Sequence, residues 1–249
     1  MKYNIIRYNT IDSTNKEAKR QIPSRQEGTV IISEEQTHGK GRLGRSWTSP
    51  KGKGIWMSII LEPEIPMDHM MGITSIGAAG VSMALDDMDI PSKIKWPNDI
   101  VVDGKKVCGI LTEVVQELNG SFYAIMGIGI NVNQDIVDFP EELHSKASSL
   151  KIIKGCEIDR ELLLMNVLRR LRKLYLKFKL EGDISQSLKI CRDNSIVIGR
   201  EIYLIRGKEI KKGKALDLNM KGELVVEFDT GIEEISSGEV SIRAIDGYI

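Results

Sequence analysis

Apolar residues recur along this 249-residue chain in two spacings, short runs of strand length and longer stretches of helical period. Residues 3–8 read as a first strand, and residues 28–34 (GTVIISE) as a buried one. Residues 55–61 (IWMSIIL) make another, on the far side of a glycine-rich loop. Between the first two, Asp12, Ser13 and Thr14 are N-cap candidates for a helix reaching to about Ile22. Residues 70–88 are rich in Gly, Ala, Met and Ile, which fits a helix packed closely on a sheet. Ile94, Lys95 and Trp96 lead into a turn at Pro97-Asn98-Asp99, and Ile100-Val101-Val102 follows. Asp103-Gly104 is a two-residue hairpin signal, with residues 107–115 returning as its second strand. Residues 122–130 supply one more. Over 159–180, Leu163, Val167, Leu171 and Leu174 share one helix face, while Arg169, Arg170, Arg172, Lys173 and Lys177 fall mostly elsewhere. That spacing predicts a core stripe under a solvated outer face.

The tail has a different texture. Short alternating strands at 201–205, 214–218, 223–228, 233–236 and 240–243 are separated by glycine-containing turns. Several close strands of this kind predict a small antiparallel barrel. The change falls within residues 190–196, dividing the chain into 1–192 and 193–249.

Charge and cysteine usage narrow the function classes. The 35 basic and 35 acidic residues balance, which argues against a general nucleic-acid binder. Cationic charge gathers locally, in the 39–53 loop and the 169–179 helix. Cys108, Cys156 and Cys191 are far apart, and His38, His69 and His144 have no metal spacing, so neither a zinc site nor a disulfide framework is expected. The N-terminus lacks the apolar segment of a signal peptide, and no apolar run reaches membrane-spanning length. A cytoplasmic protein with reduced cysteines is expected.

The candidate chemistry starts at residues 36–47, QTHGKGRLGRSW. Gly39, Gly41 and Gly44 free the backbone to turn N–H groups toward an anion, and Lys40, Arg42 and Arg45 supply charge to neutralise it. The glycines also spell a dinucleotide fingerprint and nearly a P-loop. Both of those motifs need a helix directly afterwards. Here Pro50, Gly52 and Gly54 follow, which predicts an irregular loop, so anion binding stands and the Rossmann and P-loop folds do not.

Four signals then occur in order: Asp12-Ser13-Thr14-Asn15, the glycine loop, Lys95-Trp96-Pro97-Asn98-Asp99 with Lys106 and Gly109 downstream, and Gly127-Ile128-Gly129-Ile130-Asn131-Val132-Asn133. Together they resemble the biotin–protein ligases, over nearly the whole chain. The resemblance implies an α+β catalytic domain with a mixed sheet, of class II aminoacyl-tRNA synthetase type, over 1–192, and an SH3-like barrel over 193–249. It implies ATP-dependent activation of biotin as biotinyl-5′-AMP. Biotin then passes to a lysine of a biotin carboxyl carrier domain, such as that of acetyl-CoA carboxylase or pyruvate carboxylase. Magnesium is expected with ATP, though no residues identify its ligands.

By the same resemblance Ser13, Thr14 and Gln36 face biotin's ureido ring, and Asn15 and Gly39 also bind biotin. Lys40, Gly41 and Arg42 wrap its tail and the phosphate. Lys106 meets the carboxylate and α-phosphate, and Gly109 lets the backbone approach the ligand. Arg42, Arg45, Trp47, Asn98, Lys106 and Asn131 serve ATP and the adenylate. Lys106, Arg42 and Asp99 are the catalytic candidates, with Asp99 acting either on the acceptor lysine or on the loop or metal. Trp96 is expected to be structural. Lys40 and Leu43 stand where many members have arginines, and a lysine loses bidentate phosphate geometry. The chain starts almost at the catalytic domain, so a monofunctional ligase without operator binding is expected. Monomer and homodimer both remain open. A lipoate–protein ligase is the rival in chemistry, although its arginine-and-triple-glycine signature is absent. A non-catalytic biotin or nucleotide sensor, or an RNA-binding protein using the barrel and basic helix, is the rival in class.

Overall fold

The computed structural model describes residues 1–24, 26–63, 70–116, 122–238 and 240–244. His69 lies outside them. The larger of two sheets is built from β1 (Asn4–Tyr8), β2 (Thr29–Ser33), β3 (Gly54–Leu61), β4 (Lys93–Lys95), β5 (Asp99–Val102), β6 (Lys105–Gln116) and β7 (Phe122–Asn131). Their spatial order is β1-β2-β3-β7-β6-β5-β4. β1 and β2 are parallel and every other neighbour is antiparallel, so the sheet is mixed.

Every residue of β2 and β3 is buried, because helices cover both faces. Strand alternation sorts their side chains between two clusters. Ile31, Ile60 and Ile125 pack with Ala18 and Ile22 at α1 (Thr14–Gln21). Val30, Ile32, Met57, Ile59 and Met126 join the main core, which includes α2 (Met71–Asp86) and α4 (Arg160–Glu181). The stripe Leu163, Val167, Leu171 and Leu174 is buried as its spacing predicts. α4 starts under an Asp159 cap that accepts from the Glu161 and Leu162 amides. A Cβ on Gly80 of α2 would stand 2.6 Å from Leu171 Cδ2, so that glycine sets how closely the two helices approach.

Two helices were not expected. α3 (Leu150–Lys154) is a single capped turn, and α5 (Ser185–Asp193) is largely polar, burying Ser187, Leu188 and Cys191. Neither carries a long apolar period to read.

The second sheet holds β8 (Glu201–Arg206), β9 (Glu209–Leu218), β10 (Leu224–Phe228), β11 (Gly231–Ile235) and β12 (Val240–Ala244). It is antiparallel throughout, in the order β11-β10-β9-β8-β12. β9 begins five residues before its expected start at 214, because residues 209–212 (EIKK) are all exposed and show no hydropathic alternation. This sheet abuts the 94–99 segment: Trp96 Nε1 donates to Gly222 O at 3.0 Å, and Ile94 bridges Ser195 in parallel. Trp96 is buried and structural, as expected.

Candidate active site

The glycine loop is a short hairpin. Lys40 bridges Ser46, the Gly41 amide donates to Arg45 O at 2.7 Å, and a 3₁₀ turn spans Arg42–Gly44. Leu43 at its tip takes φ 56°, the left-handed region that side chains other than glycine rarely enter. No α-helix follows before β3, so the two nucleotide folds excluded above stay excluded.

Behind the hairpin lies a cavity of about 770 Å³. Its floor is glycine. Gly109 of β6 pairs with Gly129 of β7, and Gly127 lies two residues before Gly129. A Cβ on Gly127 would fall 2.1 Å from Asn15 Oδ1, and one on Gly129 would fall 2.5 Å from Trp47 Nε1. Asn15 and Trp47 therefore occupy room the glycines vacate. Trp47 also covers Gly109, where a Cβ would meet its ring at 2.9 Å. The buried Trp47 Nε1 has no hydrogen-bond partner among the described residues.

One arm of the cavity is polar and uncharged. Ser13, Thr14 and Asn15 are buried at the start of α1. Ser13 sits at the N-cap, yet its side chain makes no capping bond. Thr14 donates from its amide (2.8 Å) and hydroxyl (3.1 Å) to Gln36 Oε1. Ser58 Oγ joins Thr14 Oγ1 to Asn15 Oδ1. Asn15 Nδ2 donates to Glu113 at 2.8 Å, and Lys19 pairs with the same carboxylate at 2.8 Å. Burial pulls the Glu113 carboxyl upward, but these bonds outweigh it and hold the group below its ordinary value.

A second arm is cationic. Lys106 Nζ lies 2.6 Å from Asp99 Oδ1 and 5.1 Å from the Trp47 ring centroid. Asp99 is the first residue of β5, and its register partner is Gly109. Arg42 donates to Asn98 Oδ1 at 3.0 Å, and its other nitrogen reaches Ser237 O, Gly238 O and Val240 O of the second sheet. Burial lowers the Arg42 pKa from its ordinary value, partly offset by Asp99. Asn98 in turn donates to Ile110 O at 2.8 Å.

The third arm ends at Asn131. Its Nδ2 donates to Ser148 O at 3.1 Å, and its Oδ1 accepts from Gln134 at 2.9 Å. Each group keeps one further hydrogen-bonding site for a ligand.

Of the residues given a catalytic or binding role from the sequence, all but Gly39 line this cavity. Gly39 is a crossing point instead: a Cβ there would stand 2.4 Å from Trp47 O. Several lining residues were missed. Lys95 sat inside a recognised motif without being assigned a role. Phe139, Leu143 and Ala147 come from the irregular segment after β7, and Tyr203 and Arg243 from the second sheet. Nothing in their local sequence announces a site; only the tertiary fold brings them here. Asp99 is the single carboxylate lining the cavity among the described residues.

Residues 8–131 match the biotin/lipoate A/B protein ligase family, and residues 197–243 match the biotin protein ligase C-terminal domain. The chain is 35% identical over 244 residues to the bifunctional ligase/repressor BirA of Bacillus subtilis, covering 97% of this chain and 75% of that one. It is 28% identical over 220 residues to the biotin–acetyl-CoA-carboxylase ligase of Mycobacterium tuberculosis, covering 86% and 79%. Biotin protein ligase from Aquifex aeolicus in complex with biotin and ATP superposes with a TM-score of 0.85 at 35% identity, covering 97% of this chain and 99% of that one. Among the described residues no helix is long and apolar enough to cross a membrane. With a relative this similar along nearly its whole length, and both domain models matched in order, the chain belongs to the biotin protein ligases.

Proposed function

We propose that the three arms hold the biotin, phosphate and adenine of one biotinyl-5′-adenylate, with Lys106 and Asp99 where the arms meet. The observation that carries this is the pairing of an uncharged hydrogen-bonding arm with a cationic one over a glycine floor. A ureido ring offers N–H donors and a carbonyl acceptor, matching Ser13, Thr14, Asn15 and Gln36. The dithiolane ring of lipoate offers no such groups and would leave those polar side chains unused. The polar arm therefore favours biotin.

The chemistry follows from charge. Biotin's carboxylate attacks the α-phosphate of ATP, two anions approach, and pyrophosphate leaves. Lys106 and Arg42 face that centre and lower the electrostatic cost; one well-placed donor contributes about 3 kcal/mol. Asp99 orients Lys106 through their ion pair. Trp47, laid over Gly109 and Gly129, borders the adenine arm and excludes water from the labile anhydride. A carrier lysine then attacks the acyl carbon, forming the amide and expelling AMP. Magnesium enters as the ATP complex, a substrate. Among the described residues the cavity lining holds one carboxylate, Asp99, and it is paired with Lys106.

The acceptor is a biotin carboxyl carrier domain, as the resemblance implies. Residues 1–192 form the catalytic unit and 193–249 a companion whose Ser237, Gly238 and Val240 carbonyls latch Arg42. Incubation with labelled biotin, Mg-ATP and a carrier domain tests the reading. AMP release and a biotinylated lysine are expected, and turnover of lipoate alone overturns it.

A further inference from the structure

Gln134 is 1% exposed and stands behind the cavity wall, and its Oε1 has no hydrogen-bond partner among the described residues. A buried acceptor without a partner is costly, and an apolar side chain of similar shape would avoid the cost. What glutamine supplies here is its other half. Its Nε2 donates at 2.9 Å to Oδ1 of Asn131, the last residue of β7. On the far side Asn131 Nδ2 donates to Ser148 O at 3.1 Å. A carbonyl only accepts, so Ser148 O keeps the amino group on its side and turns Oδ1 toward Gln134. That place calls for a donor. With the Gln134 amide reversed, two acceptors would meet. The orphaned Oε1 is the consequence of presenting a donor to Asn131.

The backbone behind the pair is tied to several elements. Gln134 O accepts from Ser149 Oγ at 2.7 Å, and Ser149 Oγ in turn accepts from the Ile152 amide of α3 at 3.1 Å. The Lys151 amide donates to Val132 O at 2.8 Å. Lys53 and Lys151 both pair with the adjacent Asp135, at 2.8 and 2.9 Å. On this fixed frame the direction of the Asn131 amide is set by its two partners, Ser148 O and Gln134.

We propose that Gln134 is a positioning residue for base selection: it locks the Asn131 amide so that an acceptor and a donor face the cavity in fixed order, which admits a 6-aminopurine and rejects a 6-oxopurine. This rests on the reading that the third arm holds adenine. Adenine carries an amino donor beside a ring-nitrogen acceptor, and an asparagine matches the two with Oδ1 and Nδ2. A 6-oxopurine sets an acceptor where the amino group was, opposite Oδ1. An asparagine able to reverse would offer that oxo group its own amino donor and lose most of the discrimination. The lock therefore acts against the wrong base as much as for the right one.

The experiment is biotin-dependent nucleotide–pyrophosphate exchange by the full chain, with ATP and with inosine triphosphate as the nucleotide. Wild type, Gln134→Met, Gln134→Glu and Asn131→Ala are compared. Wild type is expected to favour ATP about 100-fold or more in kcat/KM, because a site built to pair with an amino group leaves its acceptor unpaired against the oxo analogue. Gln134→Met removes the donor and the orphaned acceptor together at similar volume. It is expected to raise the KM for ATP and cut the ATP preference about tenfold, with the KM for biotin unchanged and the Tm no lower. Gln134→Glu sets a carboxylate against Asn131 Oδ1 and favours the reversed amide, so the preference should fall further, through better use of inosine triphosphate. A glutamine that only fills space would lower activity with both nucleotides alike and leave the preference where it was. Should Gln134→Met fail to fold, the preference in Gln134→Glu still decides. An unchanged preference in the folded Gln134 variants overturns the proposal. Asn131→Ala separates it from the reading beneath it. An unchanged KM for ATP in that variant would sink the adenine arm and the proposal with it, whereas a raised KM there beside an unchanged preference at Gln134 would overturn the role of Gln134 alone.

Discussion

Lys106 Nζ stands 2.6 Å from Asp99 Oδ1 across the β5–β6 hairpin. The pair exists because Asp103 (φ 46°) and Gly104 (φ 74°) close that hairpin in two residues, and because a bulge between Ile100 and Val101 shifts the register by one. Lys106→Ala should lower biotin-dependent ATP–pyrophosphate exchange about 100-fold or more, the loss of one preorganised donor. Lys106→Arg should recover part of it. Full activity in Lys106→Ala would remove Lys106 from the reaction.

Gly127 and Gly129 face different neighbours, so replacing them should separate the substrates. Gly127→Ala sets a methyl 2.1 Å from Asn15 Oδ1 and must displace that side chain. The KM for biotin should rise roughly tenfold, with little change for ATP, since one hydrogen bond to a substrate contributes about 1 kcal/mol or more. Gly129→Ala drives Trp47 away instead and should weaken ATP more than biotin. Equal effects on both substrates from both variants would contradict the division of the cavity into arms.

Much of this was legible in the sequence because it is local. The Asp103-Gly104 hairpin, the stripe from Leu163 to Leu174 and the helixless glycine loop are each set by neighbours in the chain. The strand order was not legible: β3 lies beside β7 through contacts between Ile55 and Ile130, residues far apart in sequence. Lys95 was passed over because nothing near it distinguishes a buried lysine from a solvated one. Tyr203 and Arg243 were missed because the tail reads as a separate small domain, and only long-range contacts such as Trp96 to Gly222 O and Arg42 to Val240 O bring it against the site.

Leu171 is 2% exposed and packs where Gly80 lets α4 approach α2. Leu171→Ala should cost about 2–5 kcal/mol in denaturant unfolding. Neither residue lines the cavity, so KM values for biotin and ATP should not move in the folded fraction. A large KM change without loss of stability would show that the helix pair positions the site directly.

Glu113 gives a prediction in acid. Its folded-state pKa is lowered from the ordinary 4.5, with Lys19 and Asn15 outweighing its burial. The stability it contributes is therefore present above about 4.5 and is lost as pH falls through the folded value. Wild type should exceed Glu113→Gln in unfolding free energy near neutral pH, and the gap should narrow in acid. A gap that widens as pH falls would contradict the ion pair with Lys19.

The most direct measurement is of the two half-reactions in one tube. The chain is incubated with labelled biotin and Mg-ATP, and a biotin carboxyl carrier domain is added afterwards. Adenylate should accumulate first, then disappear as one AMP is released for each lysine labelled. No adenylate, no AMP and an unmodified carrier would contradict the assignment of the three-armed cavity to biotinyl-5′-AMP.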